Sequence, residues 1–194
     1  MKENTFWSDA CKYGAILGLL ASISRLFEDY LIFYSSAPLE RMAITYLVEL
    51  LIYSVIFIYL VVRYTKRRAQ RFGDQGFTFG QGFGYSFTLV ILAMVVVGVA
   101  RTIFIQIMGF NDFVEGYIGR IDEFEAYLAE NGALAESMAS NGVMGNFDDM
   151  RVALRAMTQP SMFSNIFSAV DSSAFIALIL ATIMGFTIRR KPRI

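Results

Sequence analysis

Four stretches of the chain stay predominantly apolar for about twenty residues, the length that crosses a bilayer as a helix. The clearest is 42–62, MAITYLVELLIYSVIFIYLVV, with one charge. A third stretch covers 82–107, with LVILAMVVVGVA at 89–100 as its centre. A fourth covers 163–188 and is most apolar from Ala174 onward. The first, 13–34, begins as YGAILGLLASIS, meets Arg25, Glu28 and Asp29, and closes with LIFY. A cleaved signal peptide is a second reading of that stretch, because its apolar part has the right length. The residues before it carry Glu3 and Asp9 against Lys2 and Lys12, so they lack the expected positive excess. A retained span is therefore preferred. The expected fold class is an all-α membrane protein: one domain over 1–194, four transmembrane helices, and a partly helical acidic link over 110–162.

Basic residues set the expected direction of the spans. Arg63, Lys66, Arg67, Arg68 and Arg71 follow the second stretch, and Arg189, Arg190, Lys191 and Arg193 follow the fourth. The 53 residues of the link at 110–162 hold nine acids and three arginines. This places the basic segments and both termini on the cytoplasmic side and the link outside. The nine cations are read first as topology anchors that can replace one another, so changing Arg67 and Arg68 to Gln should leave folding intact. Attraction of anionic headgroups is the sharper reading, at about 1 kcal/mol per cation near the surface.

Within the link, Phe113, Tyr117, Ile118, Ile121, Phe124 and Leu128 recur at helical spacing. Asn131-Gly132 and Asn141-Gly142 punctuate it. Asp148 or Asp149 is expected to cap a second short helix through Met157, and Pro160-Ser161 to restart the chain into the fourth span. A surface cap is preferred over a lid or docking site. Arg120→Met there is expected to damage the folded yield far less than Arg101→Met.

Six charges fall inside the spans: Arg25, Glu28, Asp29, Glu49, Arg101 and Asp171. Each would cost about 2.5–3.5 kcal/mol if unpaired at the centre of a span. Together that is on the order of 10–20 kcal/mol, comparable to the stability of a whole domain. They are expected to face the interior and pair, or to face water. Arg25, Glu28 and Asp29 share one helix face, as do Gly14, Gly18 and Ser22, whose small size admits a neighbouring helix. A salt-bridge network and an ion, proton or headgroup site remain equal alternatives for the six.

Composition narrows the function. Hydrophobic residues make up 56% and charged residues 18%, with zero formal net charge. An ordinary soluble domain is about 25% charged, and a nucleic-acid partner calls for a basic excess that is missing here. There is no histidine and one cysteine, Cys11. His-based acid–base chemistry, Ser-His-Asp triads and Cys-rich metal sites are thereby removed. No metal, no cofactor and no enzymatic activity are expected. The string TFGQGFGYSF at 78–87 lacks the spacing of a dinucleotide fingerprint and the Lys-Ser/Thr of a P-loop. It reads as an interfacial helix entry with Phe77, Phe79, Phe83 and Tyr85 as aromatic anchors.

Through FGQGFGYSF and the N-terminal FWSDACKYGAILGLL, the chain resembles the uncharacterised four-span inner-membrane proteins of Bacteroidetes, a domain-of-unknown-function family. The resemblance carries over no catalytic residues. It implies a role around lipid-linked sugars, and the expected function is an accessory or scaffold protein of the bacterial inner membrane working in envelope lipid or glycan handling. Its expected partners are the lipid bilayer and either a membrane-associated protein or a second copy. The rival is a small transporter or lipid-translocating protein that uses the charge cluster.

Overall fold

The structure, a computed structural model, describes residues 3–140 and 146–190. Its named elements among these residues are all helices: α1 (Glu3–Phe33), α2 (Leu39–Gln70), α3 (Phe79–Met108), α4 (Phe110–Glu130), α5 (Gly132–Ser140), α6 (Phe147–Arg155) and α7 (Met162–Ile188), with one 3-10 turn at Gly73–Gln75. Three helices, α2, α3 and α7, are long and apolar enough to cross a membrane. They contain the second, third and fourth stretches. α1 begins ten residues before the expected span and is not among these three.

Two compact units divide the residues. The first comprises Met1–Leu26, Glu49–Thr102 and Ser161–Ile194. Here α3 is the most enclosed helix: 44% of its most apolar window is buried, against 11% for α2 and 17% for α7. Leu89, Val90, Ala93 and Val97 form its buried side. Small residues bring α1 and α7 onto it. A Cβ at Gly18 would lie 2.5 Å from the Val96 Cβ, and one at Gly98 would lie 2.4 Å from the Ile166 Cα. The expected small-residue face of α1 is thus the face that meets α3. Thr102 and Asn165, both buried, tie α3 to α7 through a 3.0 Å side-chain hydrogen bond.

Local chemistry sets the ends of these helices. Thr78 and Gln81 form a reciprocal capping box at the start of α3: the Gln81 Oε1 accepts from the Thr78 N–H at 2.8 Å, and the Thr78 Oγ1 from the Gln81 N–H at 3.3 Å. Ser161 caps α7 by accepting from the Ser164 N–H, as expected of Pro160-Ser161. Phe77 and Arg190 exchange two backbone hydrogen bonds, of 2.9 and 2.8 Å. This fastens the end of α7 beside the α2–α3 connection. Phe77 and Tyr85 are fully buried, so they are core residues rather than interfacial anchors.

The second unit comprises Phe27–Val48 and Ile103–Pro160. α4 packs Phe113, Val114 and Ile118 against Phe33, which bears out the helical spacing seen in the link. The approach is closest at Gly116, where a Cβ would sit 1.7 Å from the Phe33 carbonyl oxygen. Only glycine fits there.

Arg120 departs from its expected role. Its guanidinium donates to the carbonyls of Ile32 and Ala37 at 2.8 Å, Leu31 at 3.3 Å and also Ser35, and it pairs with Glu123 at 2.6 Å. These carbonyls belong to the last turn of α1 and the turn that follows, where a helix leaves acceptors without intrahelical donors. Glu123 completes the arrangement by accepting from the Leu39 N–H at 2.8 Å, at the start of α2. One turn of α4 therefore satisfies both sides of the α1–α2 connection.

α6 is capped by Asn146, whose side chain accepts from the Asp148 N–H at 3.0 Å. Asp148 and Asp149 lie in its first turn instead of capping it. Arg151 of α6 bridges Asp122, Glu125 and Asp148. The hydrogen bond to Glu125, followed by that to Asp122, pushes the Arg151 guanidinium above its usual range. Asn131-Gly132 separates α4 from α5, as its punctuation signalled. Asn141-Gly142 lies outside the described residues.

Candidate functional site

The six charges expected inside the spans do not share one environment. Asp29 is fully buried and Glu28 nearly so, while Arg25, Glu49 and Arg101 are half-buried. Each of Arg25, Glu28, Asp29 and Arg101 has an interaction partner. Asp171 differs from the rest: it is exposed on α7 and makes no ion pair among the described residues. Arg25, Glu49, Arg101 and Asp171 belong to the first unit, and Glu28 and Asp29 to the second.

Glu49 is the member whose surroundings are most informative. Its Oε1 accepts a hydrogen bond from the Ser24 hydroxyl at 2.5 Å, linking α2 to α1. Its Oε2 is buried and has no hydrogen-bond partner among the described residues. A buried polar atom left unsatisfied costs about 1–3 kcal/mol, more when charged. Chemically, this oxygen is an acceptor waiting for a proton or a cation. Ser24 was not among the residues singled out from the sequence; its position one residue before Arg25 was the available signal.

The basic residues after α2's apolar run separate into two sets. Arg68 is buried, with its guanidinium 3.1 Å from the Asp9 Oδ2 and 3.3 Å from the Thr5 hydroxyl. The rings of Phe6, Phe72 and Tyr85 lie 5.5–5.8 Å from it, within cation–π range. Arg71 also pairs with the Asp9 Oδ2. Arg68 is therefore not an interchangeable surface anchor. It fastens the start of α1 to α2 and α3, and the buried Tyr85 hydroxyl beside it has no hydrogen-bond partner among the described residues.

Arg63, Lys66 and Arg67 form the other set. They are exposed and make no ion pair with described residues. With Tyr59, Val62 and Gln70 they line a groove of about 500 Å³. The Arg67 guanidinium lies 5.8 Å from the ring of Tyr13, which stacks on Tyr64. Arg189 and Arg190 are exposed at the end of α7; Lys191 and Arg193 lie outside the described residues. No group of three or more acidic or cysteine side chains is placed to hold a metal among the described residues.

Three long apolar helices with polar and charged connections define a multi-pass membrane protein. The chain belongs to the DUF4199 family, described as proteins of unknown function, which it matches over residues 12–190. That agrees with the resemblance to an uncharacterised family carried by the N-terminal stretch and the entry to α3. No curated protein and no solved structure matches the chain.

Proposed function

We propose that the chain is a non-enzymatic accessory or scaffold protein of the bacterial inner membrane that presents its helices to a membrane partner. The observation that carries this reading is the use of its charges. Asp9 with Arg68 and Arg71, Arg120 with Glu123, and Arg151 with three acids all fasten the chain to itself. Along their apolar runs α2 and α7 leave large apolar side chains outside, as at Leu51, Val55 and Phe175. In this reading α1 is the fourth span, both termini are cytoplasmic, and residues 110–162 face outward. Envelope lipids or lipid-linked glycans are the setting that the family resemblance implies.

Photo-crosslinking tests it. A photoreactive residue is placed in turn at Leu51, Val55 and Phe175 of the full chain in native membranes. A discrete protein adduct, recurring only at positions on one helix face, is expected. Adducts to lipid alone at every position would refute the scaffold reading. Topology is tested separately by cysteines at Lys66 and Glu130 on a Cys11→Ser background. Only the one at Glu130 should react with an impermeant thiol reagent in intact cells with a permeabilised outer membrane.

The orphaned Glu49 Oε2 favours a second reading, a small transporter or lipid-translocating protein in which this carboxyl accepts a proton or cation. Proton or cation flux in vesicles that disappears in Glu49→Gln supports it. Flux unchanged by that substitution, or none at all, counts against it.

A further inference from the structure

The groove on α2 has the chemistry of an anion site at membrane depth. Tyr59, Val62, Arg63, Lys66, Arg67 and Gln70 fall at intervals of three and four along one helix, so they share a face. α2 has 32 residues and is about 48 Å long at ~1.5 Å per residue, well beyond the ~30 Å hydrocarbon core. Its apolar run ends at Val62. Tyr59 and Val62 then lie at the edge of the hydrocarbon. Arg63, Lys66 and Arg67 occupy the next turn, a rise of about 6 Å, which matches the thickness of one headgroup layer at about 5–8 Å.

Two features separate this set from generic basic anchoring. Arg68 and Arg71 share the Asp9 carboxylate, whereas no described carboxylate meets Arg63, Lys66 or Arg67. Arg67 is also held in place over Tyr13, whose own position is fixed by stacking on Tyr64 at 4.3 Å. The result is three cations lining one groove beside Tyr59 and Val62, with space for a bound group.

We propose that this groove binds the phosphate headgroup of an anionic lipid, with Arg63, Lys66 and Arg67 holding the phosphate and Tyr59 and Val62 meeting the glycerol and upper acyl chain. A lipid, rather than a soluble anion, is indicated by the apolar rim and by Val55 and Ile58, exposed on α2 just below it. The inference rests on α2 as a membrane span and is independent of the scaffold reading.

The test uses the full chain purified in mild detergent, titrated with phosphatidylglycerol or phosphatidylcholine and examined by native mass spectrometry. One phosphatidylglycerol is expected to be retained in preference to phosphatidylcholine. Each Lys or Arg near an anionic surface contributes about five-fold. Arg63→Gln with Lys66→Gln should therefore weaken phosphatidylglycerol retention roughly 25-fold. Arg189→Gln with Arg190→Gln removes the same charge beside the same connection, since Arg190 bridges to Phe77, and should leave retention close to the parent. Equal losses in the two variants, no loss in the first, or equal retention of both lipids would overturn the proposal. Displacement of the lipid by millimolar inorganic phosphate would assign the groove to a soluble anion and overturn it as well. A second measurement needs no variant: phosphatidylglycerol with a photoreactive headgroup should label the peptide containing residues 59–70, and labelling confined to other peptides would refute the site.

Discussion

Replacing Arg120 with methionine removes a cation but little volume, so it isolates the polar function of this residue. The side chain is 13% exposed and contacts five groups: four backbone carbonyls and the Glu123 carboxylate. Hydrogen bonds to charged groups contribute about 1.5–3 kcal/mol each. Summing five of them would exceed a plausible net value, because the carbonyls regain water once the turn loosens. A better measure is the cost of stranding one member of a partly buried pair, about 3–5 kcal/mol. That is a large fraction of a domain's 5–15 kcal/mol. Arg120→Met should therefore sharply reduce the monodisperse fraction on size exclusion and lower the melting temperature in detergent. Arg155→Met is the control, being exposed and without an ion pair among the described residues. Arg120→Lys should fall between the two, since an ammonium keeps the charge but cannot span the carbonyls with a planar fork. An Arg120→Met protein that melts with the Arg155→Met control would refute the reasoning.

Four further outcomes follow from the geometry. Gly116→Ala should prevent α4 from seating on Phe33, because its Cβ would lie 1.7 Å from the carbonyl oxygen; Gly119→Ala, in open space, should be neutral or gain up to about 1 kcal/mol of helix propensity, and thermal melts compare them. Arg68→Gln should destabilise by about 1.5–3 kcal/mol, because it removes the buried bonds to Asp9 and Thr5 and leaves Asp9 to the exposed Arg71, whereas Arg67→Gln should stay within about 0.5 kcal/mol as a surface change; denaturation in mixed micelles reads the difference. Asn165→Leu should loosen α3 from α7 by leaving the buried Thr102 hydroxyl with only its bond to the Gly98 carbonyl, at about 1–3 kcal/mol, seen as faster amide exchange near Thr102. Arg151 is held above its usual range, so its contribution is fully present below its ordinary range and would be lost only as pH rose through the higher folded value. Exchange protection in α6 should be unchanged between pH 7 and pH 10 once corrected for intrinsic rate.

Periodicity revealed the elements because it depends on one chain segment at a time. The apolar runs located α2, α3 and α7 closely, and Phe113, Ile118 and Leu128 located α4. The Gly14–Gly18 face was legible for the same reason, since small residues one turn apart admit a neighbour. What escaped were contacts between distant segments. Nothing in the run Arg63 to Arg71 says that Arg68 alone turns inward; that depends on Asp9, 59 positions away. Arg120 looked like an arginine on an acidic surface because the carbonyls it satisfies carry no side-chain signal. Asn146 lost the capping assignment to its acidic neighbours, although asparagine caps as well as aspartate does. Asp171 was grouped with the other charges by composition, and helix rotation placed it outside.

The bond from Leu39 to Glu123 has a consequence for the order of events during synthesis. The two residues are 84 positions apart, an interval of roughly 4–17 s at ~5–20 residues per second. Throughout that time the start of α2 and the carbonyls after α1 exist without the groups that later satisfy them. The α1–α2 turn is thus made before the groups that seal it, and water or the insertion machinery must serve it until α4 emerges. A chain halted after α3 would hold a hairpin whose bend is undefined. The fourth helix closes the first connection, so this protein is finished from its middle outward.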